Sequence, residues 1–88
     1  MLTFSDCLSY CGLTEDEINV IAHHERITEL VAIEFADSLL HTRDGEQQIC
    51  DILADEMHHA EAMSHTRNVV YVRAVLDHYL ESHPRCSA

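Results

Sequence analysis

Glycine and proline are scarce in this chain of 88 residues, with 2 Gly and 1 Pro, and tryptophan is absent. Gly12, Gly45 and Pro84 are therefore the only strong punctuation of the backbone. Sustained β-branched alternation, internal repeats and low-complexity tracts are missing as well, which argues against sheet folds and repeat arrays and leaves an all-helical reading. Basic residues are few: 5 Lys and Arg stand against 16 Asp and Glu, for a formal charge of -11. That deficit excludes partners that need a basic face, so no nucleic acid and no membrane is expected, and cations become the natural partners. No apolar run approaches the roughly 20 residues of a membrane span. The opening MLTFSDCLSYCG lacks a basic start and a continuous apolar stretch, so the chain reads as cytoplasmic. Cys7, Cys11, Cys50 and Cys86 are too few and too irregular for a disulfide framework or a paired C-x-x-C zinc site, and read as reduced, semi-buried thiols.

A chain this short is one domain, residues 1–88. It buries only a little over about 60% of the surface it exposes when unfolded, so help from a partner is expected. Residues 3–11 suit a short helix, capped by Thr3 and ended by Gly12. LTEDEI then opens a long helix over 14–40. Thr14 caps it, Glu17 is the capping-box partner, Leu13 and Ile18 stand at staple positions, and Glu15 and Asp16 favour the positive end of the dipole. HTRDG makes the turn, and Asp44 caps a second long helix over 45–82 with Gln47 at its third position; Pro84 stops it and leaves 83–88 as a tail. A helix of that length is unusual, and SHT at 64–66 is the place for it to break. The expected fold is all-α: an antiparallel helical hairpin with a short N-terminal helix, completing a four-helix bundle by dimerisation.

What the chain has in surplus is histidine, with 8 residues. Imidazole is the commonest metal-ligand side chain, so position decides what they mean. On the first long helix Ile18, Ile21, Ala22, Ala32, Ala36, Leu39 and Leu40 fall in one stripe about 100° wide. Glu25 and Glu29 lie in the middle of it, one turn apart. The second long helix carries a stripe of Ile49, Ile52, Leu53, Ala60, Met63, Val70, Tyr71 and Ala74, with Glu56 central and His59 within about 60° of it. His58 points elsewhere, and His23 and His24 read as solvated on a polar flank. A lone carboxylate in an apolar seam costs several kcal/mol unless it is protonated, paired or metal-bound. Antiparallel pairing about a turn near Arg43 sets Glu56 close to Leu30, so Glu29 is the nearest inward carboxylate and Glu25 lies one turn further on. The candidate metal ligands are Glu25, Glu29, Glu56 and His59. Without a metal, the same residues would form a polar network with Arg67 as its cation.

Two helices each supplying Glu, and two others each supplying Glu-x-x-His, make the ligand set of ferritin-like di-iron carboxylate bundles. On Glu29 (or Glu25), Glu56 and His59, within residues 18–65, the chain resembles the ferritin-like superfamily. In size and layout it looks most like the short two-helix encapsulated-ferritin type. That resemblance implies an iron site (Fe2+/Fe3+) shared across a homodimer or higher even oligomer, with ferroxidase activity or iron storage. The mixed oxygen and nitrogen donors suit Fe or Mn, with Zn as a competitor. SHPRCSA departs from the tail by which encapsulin cargo is recognised, so an encapsulating shell protein is not supported as a partner. The residues leave two other functions open. One is a metal-free acidic helical dimerisation or protein-interaction module, and the other is a zinc or nickel handling protein using the surplus His with Cys7 and Cys11.

Overall fold

The structure, a computed structural model, describes residues 12–63 and 66–86. Over these residues the chain is all-helical, with α1 (Glu15–Glu25), α2 (Glu29–Leu40), α3 (Gly45–Ala62) and α4 (Thr66–Ser82). The expected helix over 3–11, with Cys7 and Cys11, lies outside the described residues.

Helix α1 begins where its capping chemistry predicts. Glu17 N–H donates to Thr14 Oγ1 at 3.2 Å, while Thr14 N–H and Oγ1 each donate to Glu17 Oε1 at 2.9 Å. These bonds satisfy orphan donors of the first turn and hold Glu17 in a buried position. Leu13 and Ile18, the staple pair, are both buried.

The expected uninterrupted helix over 14–40 is broken. Arg26 adopts a left-handed conformation (φ 58°, ψ 45°) and ends α1, with Ile27 N–H donating back to Ala22 O at 3.0 Å. Thr28 then caps a new helix, its Oγ1 accepting from Val31 N–H at 3.2 Å, and Glu29 occupies the acidic first turn. Thr28 followed by Glu29 is the local signal for this start. It carries no glycine or proline, so periodicity runs straight through it.

Residues 41–44 form the expected turn, closed by Thr42 N–H to Leu39 O at 2.9 Å. Asp44 sits at the N-cap of α3, yet its side chain makes no capping bond, and the Gln47 amide donates forward to Asp51 Oδ1 at 2.9 Å. The turn owes its tightness to Gly45. A Cβ at this position would stand 1.4 Å from Leu39 O, so only glycine lets the start of α3 close onto the end of α2.

The second long helix is also two helices, separated at the expected SHT stretch, of which residues 64 and 65 lie outside the described set. The chain leaves helix after Ser82, next to Pro84. Among the described residues there are thus four helices where two long ones were expected. Their core combines Ile18 and Ile21 of α1, Ala32, Ile33 and Ala36 of α2, Ile49, Cys50 and Leu53 of α3, and Val72, Val75, Leu76 and Tyr79 of α4. Each fully buried Ile or Leu contributes roughly 1.5–3 kcal/mol of transfer free energy. Tyr79 satisfies its hydroxyl by donating to Glu46 O at 2.7 Å, and Tyr71 OH ties α4 to α1 through Asp16 Oδ1 at 3.0 Å.

The break before α4 resets the helix phase. Val70, Tyr71 and Ala74, expected inward, are exposed, and the face of Val72, Val75, Leu76 and Tyr79 takes their place; Met63, also expected inward, is exposed as the C-cap of α3. Among the described residues no helix is long and apolar enough to cross a membrane.

Candidate functional site

The last turn of α1 and the middle of α3 run side by side, and their polar residues meet in register. His23 Nδ1 lies 3.2 Å from Glu56 Oε2, and His24 Nε2 lies 2.7 Å from Asp55 Oδ2. Glu56 therefore stands opposite His23, about two turns upstream of Leu30, the level that an unbroken hairpin would give. The break at Arg26 produces that shift. It takes α2 off the α1 axis, so the register of α1 against α3 is no longer counted through the turn near Arg43.

Glu56 and His59 share a cavity of about 440 Å³ bounded by α1, α3 and α4. Its polar lining is His23, Glu56, His59, Asn19, Asn68 and Tyr71, over apolar Val20, Ala60, Met63 and Val72. On the outer side of Glu56 a second, shallower cleft is lined by His23, His24, Arg26, Asp55, Glu56, His58 and His59. The Glu56 side chain is only 13% exposed, and its neighbour His23 is 77% exposed. A mostly buried carboxylate is thus paired with an imidazole whose charge is conditional, rather than with a guanidinium. His58 contributes to the outer cleft alone, in keeping with its direction one residue from His59.

Glu25 and Glu29 are placed differently from expectation. Both were expected in the buried seam beside Glu56, and both are exposed. Glu25 Oε2 stands 3.1 Å from His24 Nδ1, and Glu29 opens α2 beyond the break; neither lines a cavity that holds Glu56 and His59. Arg67, the cation of the polar-network reading, is exposed and lines neither cavity. Among the described residues no three His, Cys, Asp or Glu groups are arranged to hold a metal ion.

His23 and His24 are the site residues that periodicity missed, since both sit on the flank of α1 that reads as polar. The signal that finds them is the complementarity of two dipeptides on antiparallel helices, HH at 23–24 against DE at 55–56. His24 is half-buried between two carboxylates. Burial alone would lower its pKa, but the hydrogen bonds and charges of Asp55 and Glu25 outweigh that and raise it above 6.5. The described cysteines lie away from this cluster: Cys50 is in the core and Cys86 packs against it, and burial raises both thiol pKa values.

No family model, no curated protein and no solved structure matches the chain.

Proposed function

We propose that the chain is a metal-binding helical protein whose site is built on Glu56 and His59 of α3, with His23 of α1 as the third donor. The observation that carries this reading is the environment of Glu56, a mostly buried carboxylate on the same cavity as two imidazoles, with no Arg among the described residues of that cavity. Two imidazoles and one carboxylate, with coordination positions left open, is a donor set suited to Fe(II), and Mn(II) or Zn(II) would compete for it. His23 and His59 are exposed, so their rings are free to turn towards Glu56 about χ1 and χ2. Iron held there would supply redox chemistry towards dioxygen, the basis of ferroxidase-type iron oxidation or storage. The chain's own residues would neutralise the cation through Glu56, orient it through the two rings, and limit water access through Val20, Ala60 and Val72. Glu25 and Glu29 stay outside this set.

Anaerobic equilibrium binding of Fe(II), Mn(II) and Zn(II) tests the reading. Glu56→Gln, His59→Ala and His23→Ala should each weaken binding by at least about tenfold, since even residues that merely support a ligand cost that much, and His58→Ala should change it by less than about twofold. Equal loss at His58, or no loss at Glu56, would refute it.

A second reading has its own support. Leu30, Val31, Met63, Val70 and Tyr71 remain 41–65% exposed, more apolar surface than a small acidic monomer gains from leaving in water. They favour a metal-free association module that pairs with a second copy into a homodimer or higher even oligomer. Light scattering on chelator-treated protein tests it: a dimer supports the module, and a monomer at micromolar concentration removes it.

A further inference from the structure

The cavity beside Glu56 has a floor and a rim of different chemistry. Val20, Ala60 and Val72 are buried and make an apolar floor, while Met63 and Tyr71 stand exposed at the rim. Its volume of about 440 Å³ is that of a small-molecule pocket. Among the described residues Glu56 is the only carboxylate on the lining, and no Arg accompanies it. A ligand that fills the floor also desolvates this carboxylate, and the ligand's own charge decides the outcome. An anion would meet Glu56 inside a chain of formal charge -11. A neutral apolar molecule would strip water from the carboxylate and return no hydrogen bond. An ammonium head joined to an apolar body satisfies both halves of the cavity, and the aromatic side chain of Tyr71 at the rim is a second feature favouring organic cations.

We propose that this cavity binds a small organic ammonium ion, its head on Glu56 and its apolar body on Val20, Ala60 and Val72. The site does not depend on the metal reading. A metal takes Glu56 together with His23 and His59, the amine takes Glu56 together with the apolar floor, and the two exclude each other at the carboxylate. His23 gives up its 3.2 Å contact to admit the ammonium group, a small change for a ring already 77% exposed.

The test is a titration of the full, metal-stripped chain with benzylamine, benzyl alcohol and benzoate, followed by backbone amide NMR shifts. Benzylamine should give saturable shifts at Val20, Ala60 and Val72. Benzyl alcohol should bind at least about tenfold more weakly, because it leaves the carboxylate without a charged partner, and benzoate should not bind. Glu56→Gln should weaken benzylamine by at least about tenfold. Met63→Lys, at an exposed rim position where folding is not at stake, should weaken it as well by setting a like charge at the mouth. His59→Ala should remove metal binding while leaving benzylamine binding intact, and the comparison of amine, alcohol and acid is made with no metal present, so the two readings fail separately. Equal binding of the three compounds, saturable shifts confined to another part of the chain, no saturation with benzylamine, or unchanged affinity in both Glu56→Gln and Met63→Lys would overturn the proposal.

Discussion

His24 and Asp55 are joined across the gap between α1 and α3 by a 2.7 Å contact from Nε2 to Oδ2, while Nδ1 of the same ring lies 3.1 Å from Glu25 Oε2. A ring that faces carboxylate oxygens with both nitrogens can donate from both only as imidazolium. Burial is the largest influence on His24 and lowers its pKa, but the bonds to Asp55 and Glu25 and their charges together raise it above 6.5. A folded pKa above the unfolded one means that the stabilisation is complete below the unfolded value and is lost as pH rises through the folded value. Chelator-treated protein should therefore melt at a higher temperature at about pH 6 than at about pH 8. Asp55→Asn should shrink that difference, and NMR titration of the His24 ring should show its pKa falling in the variant. A melting temperature that rises over the same interval and does not respond to Asp55→Asn would contradict this assignment.

Gly45 offers a test of the α2–α3 corner in which the sign is informative. In an unconstrained helix Gly→Ala stabilises by about 1 kcal/mol. Here the added Cβ would stand 1.4 Å from Leu39 O and 2.7 Å from Thr42 Oγ1. The backbone of one helix end must move, so Gly45→Ala should destabilise by roughly 1–3 kcal/mol or more in urea unfolding. A neutral or stabilising result would mean that the corner is looser than described.

The interruption between α1 and α2 is open to the same kind of test. Arg26 holds a left-handed backbone at φ 58° without being glycine, a conformation that costs an ordinary residue roughly 1–2 kcal/mol. Arg26→Gly should thus leave stability unchanged or improve it by up to about 1 kcal/mol after the entropy of a more flexible unfolded chain is counted. Thr28→Ala should lose the cap on Val31 N–H and cost about 1 kcal/mol. Were the helix continuous, both signs would invert, because glycine is the poorer helix former and alanine the better one.

How far the sequence could be read follows from where its helices are interrupted. The start of α1 was legible because Thr14, Glu17, Leu13 and Ile18 act through bonds and contacts within one turn. The turn at 41–44 and the exit near Pro84 were legible for the same reason. Glu56 and His59, read as neighbours one turn apart on one helix, line one cavity because α3 runs unbroken from Gly45 to Ala62. Glu29 was carried into the seam by counting about 100° per residue through Arg26, where the backbone turns left-handed and the count restarts, while Glu25 is the last residue of α1 and stands exposed where that helix ends. A second reset, at the break before α4, moved the buried face of that helix from Val70 and Tyr71 to Val72, Val75, Leu76 and Tyr79. His23 and His24 were passed over because their partners, Glu56 and Asp55, are reached only through the tertiary register.

The central claim is that a metal sits on Glu56, and an anomalous difference map at the iron edge, from a crystal loaded anaerobically with Fe(II), tests it most directly. The account predicts a peak at roughly 2.0–2.3 Å from a Glu56 oxygen and from a ring nitrogen of His59, with His23 turned to complete the set. A peak beside Glu25 and Glu29 that leaves Glu56 unliganded, or a map with no peak and the His23–Glu56 contact intact at 3.2 Å, would contradict it.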